Sequence, residues 1–135
     1  MAAYTTHDIV AVAEFRASLR RFLRRTEKIA RNSGLTPQRY LLLLMVRGAP
    51  DGSGRSTVTE LAERMQLAQS TVTELVSRAE EAGLLEREQS RTDARVAHLR
   101  LSEEGERKLE AAFTTLAAER TSLRDAFGHL DTDVD

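Results

Sequence analysis

The chain of 135 residues contains no cysteine. This absence excludes a disulfide framework, a thiolate metal site, a cysteine nucleophile and sensing by cysteine oxidation. No run of about eighteen uncharged apolar residues occurs, and the first residues lack a positive segment followed by a long apolar stretch. We therefore expect a soluble, cytoplasmic protein without a membrane segment, long enough to form one domain with its own core.

Patterns associated with catalysis are also missing. The three histidines, His7, His98 and His129, are far apart in the sequence, and none has a metal-ligand spacing. No serine lies in a nucleophile elbow, and no phosphate-binding loop motif occurs. We expect the protein not to be an enzyme and to need neither a metal nor another cofactor.

Positive and negative charges nearly balance over the whole chain, but positive charge is concentrated near its start. The formal net charge is −1, and three aspartates lie within the last five residues. Phosphates respond to the local field rather than to the total charge, so the distribution matters more than the sum. The basic segment is either a solvated helix face or a surface for an anionic partner. It comprises Arg16, Arg20, Arg21, Arg24, Arg25, Lys28 and Arg31.

Two helices are predicted in the first third of the chain. Apolar residues recur every three or four positions from Asp8 to about Arg31, which is the period of an amphipathic helix. Gly34 favours a left-handed cap after this helix. Thr36 followed by Pro37 predicts the N-cap and first residue of a second helix, and a glycine-rich loop follows that helix.

The hexapeptide STVTEL occurs twice, at residues 56–61 and 70–75. In the first copy we expect Val58 to join a short strand and Thr59 to cap a supporting helix. Around the second copy, Val72, Leu75, Val76 and Ala79 have the spacing of one helix face, and Gly83 ends the helix. The first turn and outer face of this helix carry short polar side chains. These belong to Gln69, Ser70, Thr71, Thr73 and Ser77.

Such a helix offers hydroxyl and amide groups together with free backbone N–H groups, a combination suited to phosphates and base edges. Serine and threonine that merely cap and solubilise a surface helix would give the same pattern, so this segment alone leaves both interpretations open. Glu74 repels phosphate unless it pairs with Arg78 four residues later or accepts from cytosine N4. We favour the pair, which would bring Arg78 near the DNA backbone.

A hairpin and a long helix complete the pattern. Two short extended segments, LLEREQ and RVAHLRL, flank SRTDA and predict a hairpin with Arg91 and Arg95 at its tip. Helix, turn, helix and hairpin is the order of a winged helix-turn-helix, whose wing arginines can contact phosphates or the minor groove. Ser102 then caps one long helix with heptad-like apolar spacing, which suits a partner helix.

Residues 56–106 resemble the DNA-binding core of the multiple antibiotic resistance regulator (MarR) family of bacterial transcription factors. The resemblance depends on ELAERM followed by QSTVT, and on R-x-E-x-x-G-L from Arg78 to Leu84. It also depends on D-x-R from Asp93 to Arg95 and on L-x-L-S-E-E-G from Leu99 to Gly105.

The resemblance implies a mainly α fold with a small β-wing. A winged helix-turn-helix at residues 36–101 would be flanked by dimerisation helices at 8–33 and 102–130. Two subunits would bind a pseudo-palindromic operator in double-stranded DNA, with Asp93 orienting Arg95, and would act as a repressor that a small aromatic or lipophilic effector releases. The alternative is a winged-helix module that binds only protein. The residues predicted to contact DNA are Gln69, Ser70, Thr71, Thr73, Ser77, Arg78, Arg91 and Arg95.

Three features depart from the family pattern. Gln66 replaces the usual glycine of the turn, where a left-handed backbone costs about 1 kcal/mol. Ala68 replaces the usual serine or threonine cap at a cost of roughly 0.5–2 kcal/mol, unless Ser70 takes that role. The chain also stops soon after the predicted long helix, so we expect the family's final helix to be missing. The dimer would then be smaller or differently arranged, or the sequence is a shortened one.

Overall fold

The chain folds mainly into helices, with one short hairpin between the fourth helix and the fifth. The structure, a computed structural model, describes residues 3–130. Within them, the elements are α1 Thr6–Asn32, α2 Pro37–Arg47, α3 Val58–Met65, α4 Gln69–Glu81, β1 Leu85–Gln89, β2 Ala97–Leu101, α5 Glu103–Thr115 and α6 Ala117–Leu130. The predicted fold class, mainly α with a small β-wing, is confirmed.

The ends of α1 and the start of α2 follow local capping signals. Thr5 caps α1 by a reciprocal pair of hydrogen bonds with Asp8, so the helix begins at Thr6, two residues before the predicted start at Asp8. Gly34 has a φ of +80° and ends α1 as predicted. The Oγ1 of Thr36 accepts from the backbone N–H of Arg39 at 3.1 Å, so the predicted cap of α2 is confirmed.

The predicted start of α3 is wrong by two residues. Thr57 is the N-cap, and Val58 is already the first helical residue. Thr57 and Glu60 form a capping box, in which each side chain accepts from the other residue's backbone N–H. Thr59 would have Ala62 three residues on, which cannot complete such a box. The short strand contact belongs instead to Ser56.

The hairpin is attached to the core along one face. β1 and β2 are antiparallel, with Leu85 opposite Leu101, and Leu99 is fully buried. Ser56 extends this sheet by one residue: its N–H donates to the carbonyl of Leu99 at 3.1 Å, and the Leu99 N–H donates back at 2.8 Å. The wing therefore has a fixed root, continuous with the segment that leads into α3.

The segment predicted as one long helix is two helices. Leu116 ends α5 with φ −89° and ψ 10°, and its side chain is buried. The guanidinium of Arg120 donates to the carbonyl of Phe113 and lies 3.6 Å from the centre of the Phe113 ring. It thereby adds a second donor to a carbonyl at the end of α5, to which the Leu116 N–H also donates at 3.3 Å. A further helix thus follows α5, and the expectation that it is missing is wrong.

Helices α1 and α6 pack antiparallel along each other. The rings of Phe15 and Phe127 meet edge to face with centroids 5.8 Å apart. Nearer the other end of α6, Arg25 and Glu119 form an ion pair at 3.1 Å. None of the helices formed by residues 3–130 has the length and apolar character needed to cross a membrane.

One hydrophobic core joins α2, α3, α4, the wing root and the break between α5 and α6. Because α4 contributes an apolar stripe to this core, its opposite face is directed outward. The largest fully buried side chains are Leu42, Leu43, Leu61, Leu99, Leu116, Val46, Val72 and Val76.

Candidate nucleic-acid interface

The first turn of α4 presents polar groups to solvent above a buried floor. Ser70, Thr71 and Thr73 are exposed, whereas Val72 between them is fully buried. Ala68 is the N-cap and offers no side-chain hydrogen bond, and Ser70 does not replace it. A capping side chain acts from the position before the helix, but Ser70 is the second helical residue. The expected substitution of the cap by Ser70 is therefore wrong, and the first turn keeps N–H groups without a capping side chain.

The turn between α3 and α4 adopts the strained backbone that glycine usually supplies. Gln66 has φ 55° and ψ 46°, in the left-handed region. Its side-chain amide donates to the carbonyl of Glu63 at 2.6 Å, and the Leu67 N–H donates to the carbonyl of Ala62 at 3.1 Å. These bonds satisfy carbonyls at the end of α3 and partly offset a strain of about 1 kcal/mol.

Glu74 and Arg78 form the predicted ion pair. The Arg78 Nη2 atom lies 2.7 Å from Glu74 Oε1, one helical turn away. Both side chains are about two-thirds exposed, so the pair contributes only about 0.3–0.5 kcal/mol to stability. Its larger effect is to neutralise a carboxylate that would otherwise repel a phosphate.

Arg39 is a cation beside α4 that the sequence pattern did not identify as a candidate site residue. A hollow of about 360 Å³ separates the first turn of α2 from α4, and Arg39 and Arg78 lie on its two sides. The sequence shows Arg39 as an ordinary helix residue, because its proximity to Arg78 arises only when α2 packs against α4. No local signal would have identified it.

At the tip of the wing, Asp93 holds Arg95 as predicted. Arg95 Nε and Nη2 donate to the two oxygens of Asp93 at 3.1 and 3.3 Å, and the Arg95 backbone N–H donates to Oδ1 at 3.0 Å. These bonds lower the pKa of the Asp93 carboxyl below its ordinary value. The carboxylate is therefore ionised at neutral pH, and the pair is lost only as the pH falls through that lowered pKa.

Ion pairs tie the wing to its neighbours. Arg87 on β1 donates to both carboxylate oxygens of Glu80 on α4, at 2.9 and 3.1 Å. Arg55, at the end of the loop before α3, lies 3.2 Å from Glu88 on the same strand. The hairpin is thus attached to α4 on one side and to the loop on the other, which limits the movement of its tip relative to α4.

A close approach of two segments explains the glycine of the L-x-L-S-E-E-G motif. The Ser102 N–H donates to the carbonyl of Leu84 at 3.0 Å, and its Oγ donates to the carbonyl of Gly83 at 2.5 Å. A Cβ atom on Gly105 would lie only 2.2 Å from the Leu84 carbonyl oxygen. Only glycine allows the first turn of α5 to pack this tightly against the end of α4 and the start of β1.

The predicted DNA-contacting residues differ in their availability. Arg91 and Arg95 are exposed at the wing, and Ser77 is only half-exposed on α4. Gln69 is exposed, but its side-chain amide already donates to Thr59 Oγ1 at 2.6 Å. Contact of these residues with DNA stays a prediction.

Comparison with known proteins identifies the family. Residues 33–96 match the model described as the MarR family. The chain is also 30% identical over 127 residues to YsmB of Bacillus subtilis, an uncharacterized HTH-type transcriptional regulator, covering 91% of this chain and 82% of the relative. The chain belongs to the MarR family. This MarR-family protein is therefore grouped with transcriptional regulators, and the relatives it matches are regulators rather than enzymes.

Two further likenesses place the MarR-family fold in context. The repressor MdtR of Bacillus subtilis is 35% identical over 77 residues, 57% of this chain and 47% of that protein, so the chain spans about half of its length. A crystal structure of mutant MarR from E. coli complexed with operator DNA is similar, with a TM-score of 0.65 and 17% identity. The similarity covers 87% of this chain and 80% of that one, and at this identity it shows a common fold.

Proposed function

We propose that this MarR-family regulator is a sequence-specific DNA-binding protein, not an enzyme, that acts in the cytoplasm as a homodimeric repressor on a pseudo-palindromic operator. The observation that supports the proposal best is the exposed first turn of α4, where Ser70, Thr71 and Thr73 surround a buried Val72. A small-molecule effector that releases the DNA completes the proposal and follows from family membership alone.

In this proposal the N-terminal part of α4 enters the major groove. The second helix of a helix-turn-helix contacts base edges with its N-terminal residues, while the first helix crosses the backbone. Hydroxyl groups can donate to and accept from base edges, and uncapped N–H groups suit phosphate oxygens. The short side chains of Ser70 and Thr73 let the helix approach the bases closely.

The wing supplies cationic contacts beside the groove. Asp93 uses the Nε and Nη2 groups of Arg95, and the guanidinium has five N–H donors in total, so donors are left for a phosphate or the minor-groove edge. Holding Arg95 in place reduces the conformational entropy that it would lose on binding. Arg91 adds a second exposed cation at the same tip.

Dimerisation is proposed for helices at 8–33 and 102–130, with the winged helix-turn-helix at 36–101 between them. Five large apolar side chains on α1 and α6 are about half exposed, which is unfavourable in a monomer and supports association. They are Ile9, Val10, Val12, Leu23 and Phe127. Repression is proposed because the relative MdtR is a transcriptional repressor.

Selection of bound fragments from genomic or random DNA tests the proposal. We expect inverted half-sites about one helical turn apart. Affinity should fall with salt, with a log–log slope of about −0.9 for each phosphate neutralised. Absence of any DNA shift at low salt would refute DNA binding and favour a module that binds only protein. Selected fragments that contain a single half-site without an inverted copy would exclude binding as a dimer.

An arginine substitution with a matched control localises the contact. Arg95→Ala should weaken binding to all sequences and lower the salt slope by about 1 for each subunit. Arg107→Ala removes the same charge from α5, where Arg107 pairs with Glu104 at 2.5 Å, and should leave the slope unchanged. Equal slopes for the two variants would remove the wing from the proposed mechanism.

A further inference from the structure

A hydrogen bond joins the two helices of the helix-turn-helix at the position where α4 begins. Gln69 is the first residue of α4, and its Nε2 donates to Oγ1 of Thr59, the second residue of α3, at 2.6 Å. Both side chains are exposed, and the bond spans ten residues of sequence. We propose that Thr59 is a positioning residue that orients Gln69 to recognise adenine in each half-site. The proposal rests on the function proposed above.

The bond is not needed to hold the two helices together. Leu61 of α3 and Val72 of α4 are fully buried in the same core. The turn is closed by the backbone bond from Leu67 to Ala62. A single hydrogen bond between exposed groups adds little stability to such packing. Its specific consequence is the orientation of the Gln69 side chain.

The side chain of Gln69 is exposed and borders an open hollow. A hollow of about 490 Å³ opens beside the pair between α3 and the start of α4, lined by Thr59, Gln69, Ala62 and residues of the turn. A free glutamine in open space loses rotamer entropy when it is ordered. The Thr59 bond removes part of that freedom before DNA binds, so less is lost on recognition.

The hydrogen-bonding groups left on Gln69 select the base. A glutamine amide has two N–H donors and one acceptor oxygen, and Thr59 uses one donor. One donor and one acceptor then remain, which match N7 and the N6 amino group of adenine. Guanine presents two acceptors, O6 and N7, so the glutamine oxygen would face O6 without a hydrogen between them. Adenine is therefore favoured over guanine.

Thr59 also keeps a donor for the DNA. Its oxygen accepts from Gln69, which leaves the hydroxyl hydrogen free to donate to a phosphate. The first helix of a helix-turn-helix crosses the backbone, so a phosphate lies within reach of this position. One hydroxyl would then connect a backbone contact with a base contact.

Selection of binding sites from random DNA, carried out with the whole chain as wild type and as three variants, tests the proposal. The proteins are wild type, Gln69→Ala, Thr59→Val, which keeps the shape of threonine without the hydroxyl, and Thr59→Ser, which restores the hydroxyl. Wild type should prefer adenine about tenfold at one position of each half-site. Gln69→Ala and Thr59→Val should lose that preference and keep the consensus at every other position, and Thr59→Ser should retain it.

Three results would overturn the proposal. They are an adenine preference that survives in Thr59→Val, its loss in Thr59→Ser, and an equal loss of affinity for all sequences in Thr59→Val. The last would indicate a purely structural or phosphate role. Thermal unfolding of all variants verifies that each is folded. A wild type that selects no sequence at all would instead refute the proposed function, so the two failures are distinguishable.

Discussion

The two copies of STVTEL are identical in sequence but differ in environment. Ser56 is buried and bonded to the wing, whereas Ser70 is exposed at the first turn of α4. Leu61 is fully buried, whereas Leu75 is only partly buried. The first copy begins and anchors a supporting helix, and the second lies wholly inside the helix that we propose to contact DNA.

The difference arises from where each helix begins. α3 starts at Val58, the third letter of its copy, and α4 starts at Gln69, one residue before its copy. The fourth residue of each helix is fully buried, and it is Leu61 in α3 and Val72 in α4. The helix start sets which side chains face the core, so the same letters are displaced by three helical positions and turn to different neighbours.

The largest expected contrast is between the two leucines. Leu61→Ala should lower the free energy of unfolding by about 2–5 kcal/mol, because it leaves a cavity in the core. Leu75→Ala should cost less than about half as much, since solvent already reaches that side chain. Urea unfolding of both variants measures the difference, and equal losses would contradict the assigned helix starts.

The two capping threonines provide the next contrast. Thr57→Ala removes the N-cap of α3 and should cost about 1 kcal/mol. Thr71, at the equivalent letter, caps nothing, so Thr71→Ala should change stability by less than about 0.5 kcal/mol. Thermal unfolding compares the pair. Equal destabilisation would mean that Thr71 has a structural role absent from the described contacts.

DNA affinity should show the opposite order. Thr73→Ala should weaken binding to the selected operator by about 0.5–1.5 kcal/mol and alter the preferred site, with little effect on unfolding. Thr57→Ala should leave the affinity of the folded protein unchanged. Fluorescence anisotropy at fixed salt measures both. A matching loss of affinity in Thr57→Ala would contradict the division between the copies.

The smallest contrast concerns the two glutamates. Glu74→Gln removes the ion pair with Arg78, which should cost only about 0.3–0.5 kcal/mol of stability, and should strengthen DNA binding by removing a negative charge. Glu60→Gln retains an acceptor for the capping box, so both properties should change little. Titration of both variants with operator DNA tests this. Weaker binding by Glu74→Gln would instead favour a contact between Glu74 and cytosine.

The sequence predicts features whose cause lies within a few residues. The cap at Gly34, the start of α2 at Pro37 and the pair of Glu74 with Arg78 all depend on near neighbours, and the structure contains all three. The correct cap of α3 could also have been predicted from near neighbours, because Glu60 completes a capping box with Thr57 and not with Thr59.

Features that depend on distant contacts were not predictable in the same way. The apolar spacing continues smoothly through Leu116, with neither glycine nor proline to signal a break, and Arg120 stabilises that break through Phe113. The bond between Gln69 and Thr59 exists only because the turn at Gln66 brings the two helices together. Periodicity shows which face is outward, but not which exposed groups meet.

The close contact between Gly105 and Leu84 also bears on the distance between the wings of two subunits. The start of α5 packs directly against the wing root and is not separated from it by a flexible linker. We therefore expect the hairpin and α5 to move together as a rigid unit. In a dimer joined through α1 and α6, the distance between the two wing tips would depend on the length of α5 and on the bend at Leu116. A dimer with this fixed distance would bind operators with one half-site spacing and would bind poorly to operators whose spacing is longer or shorter by a few base pairs.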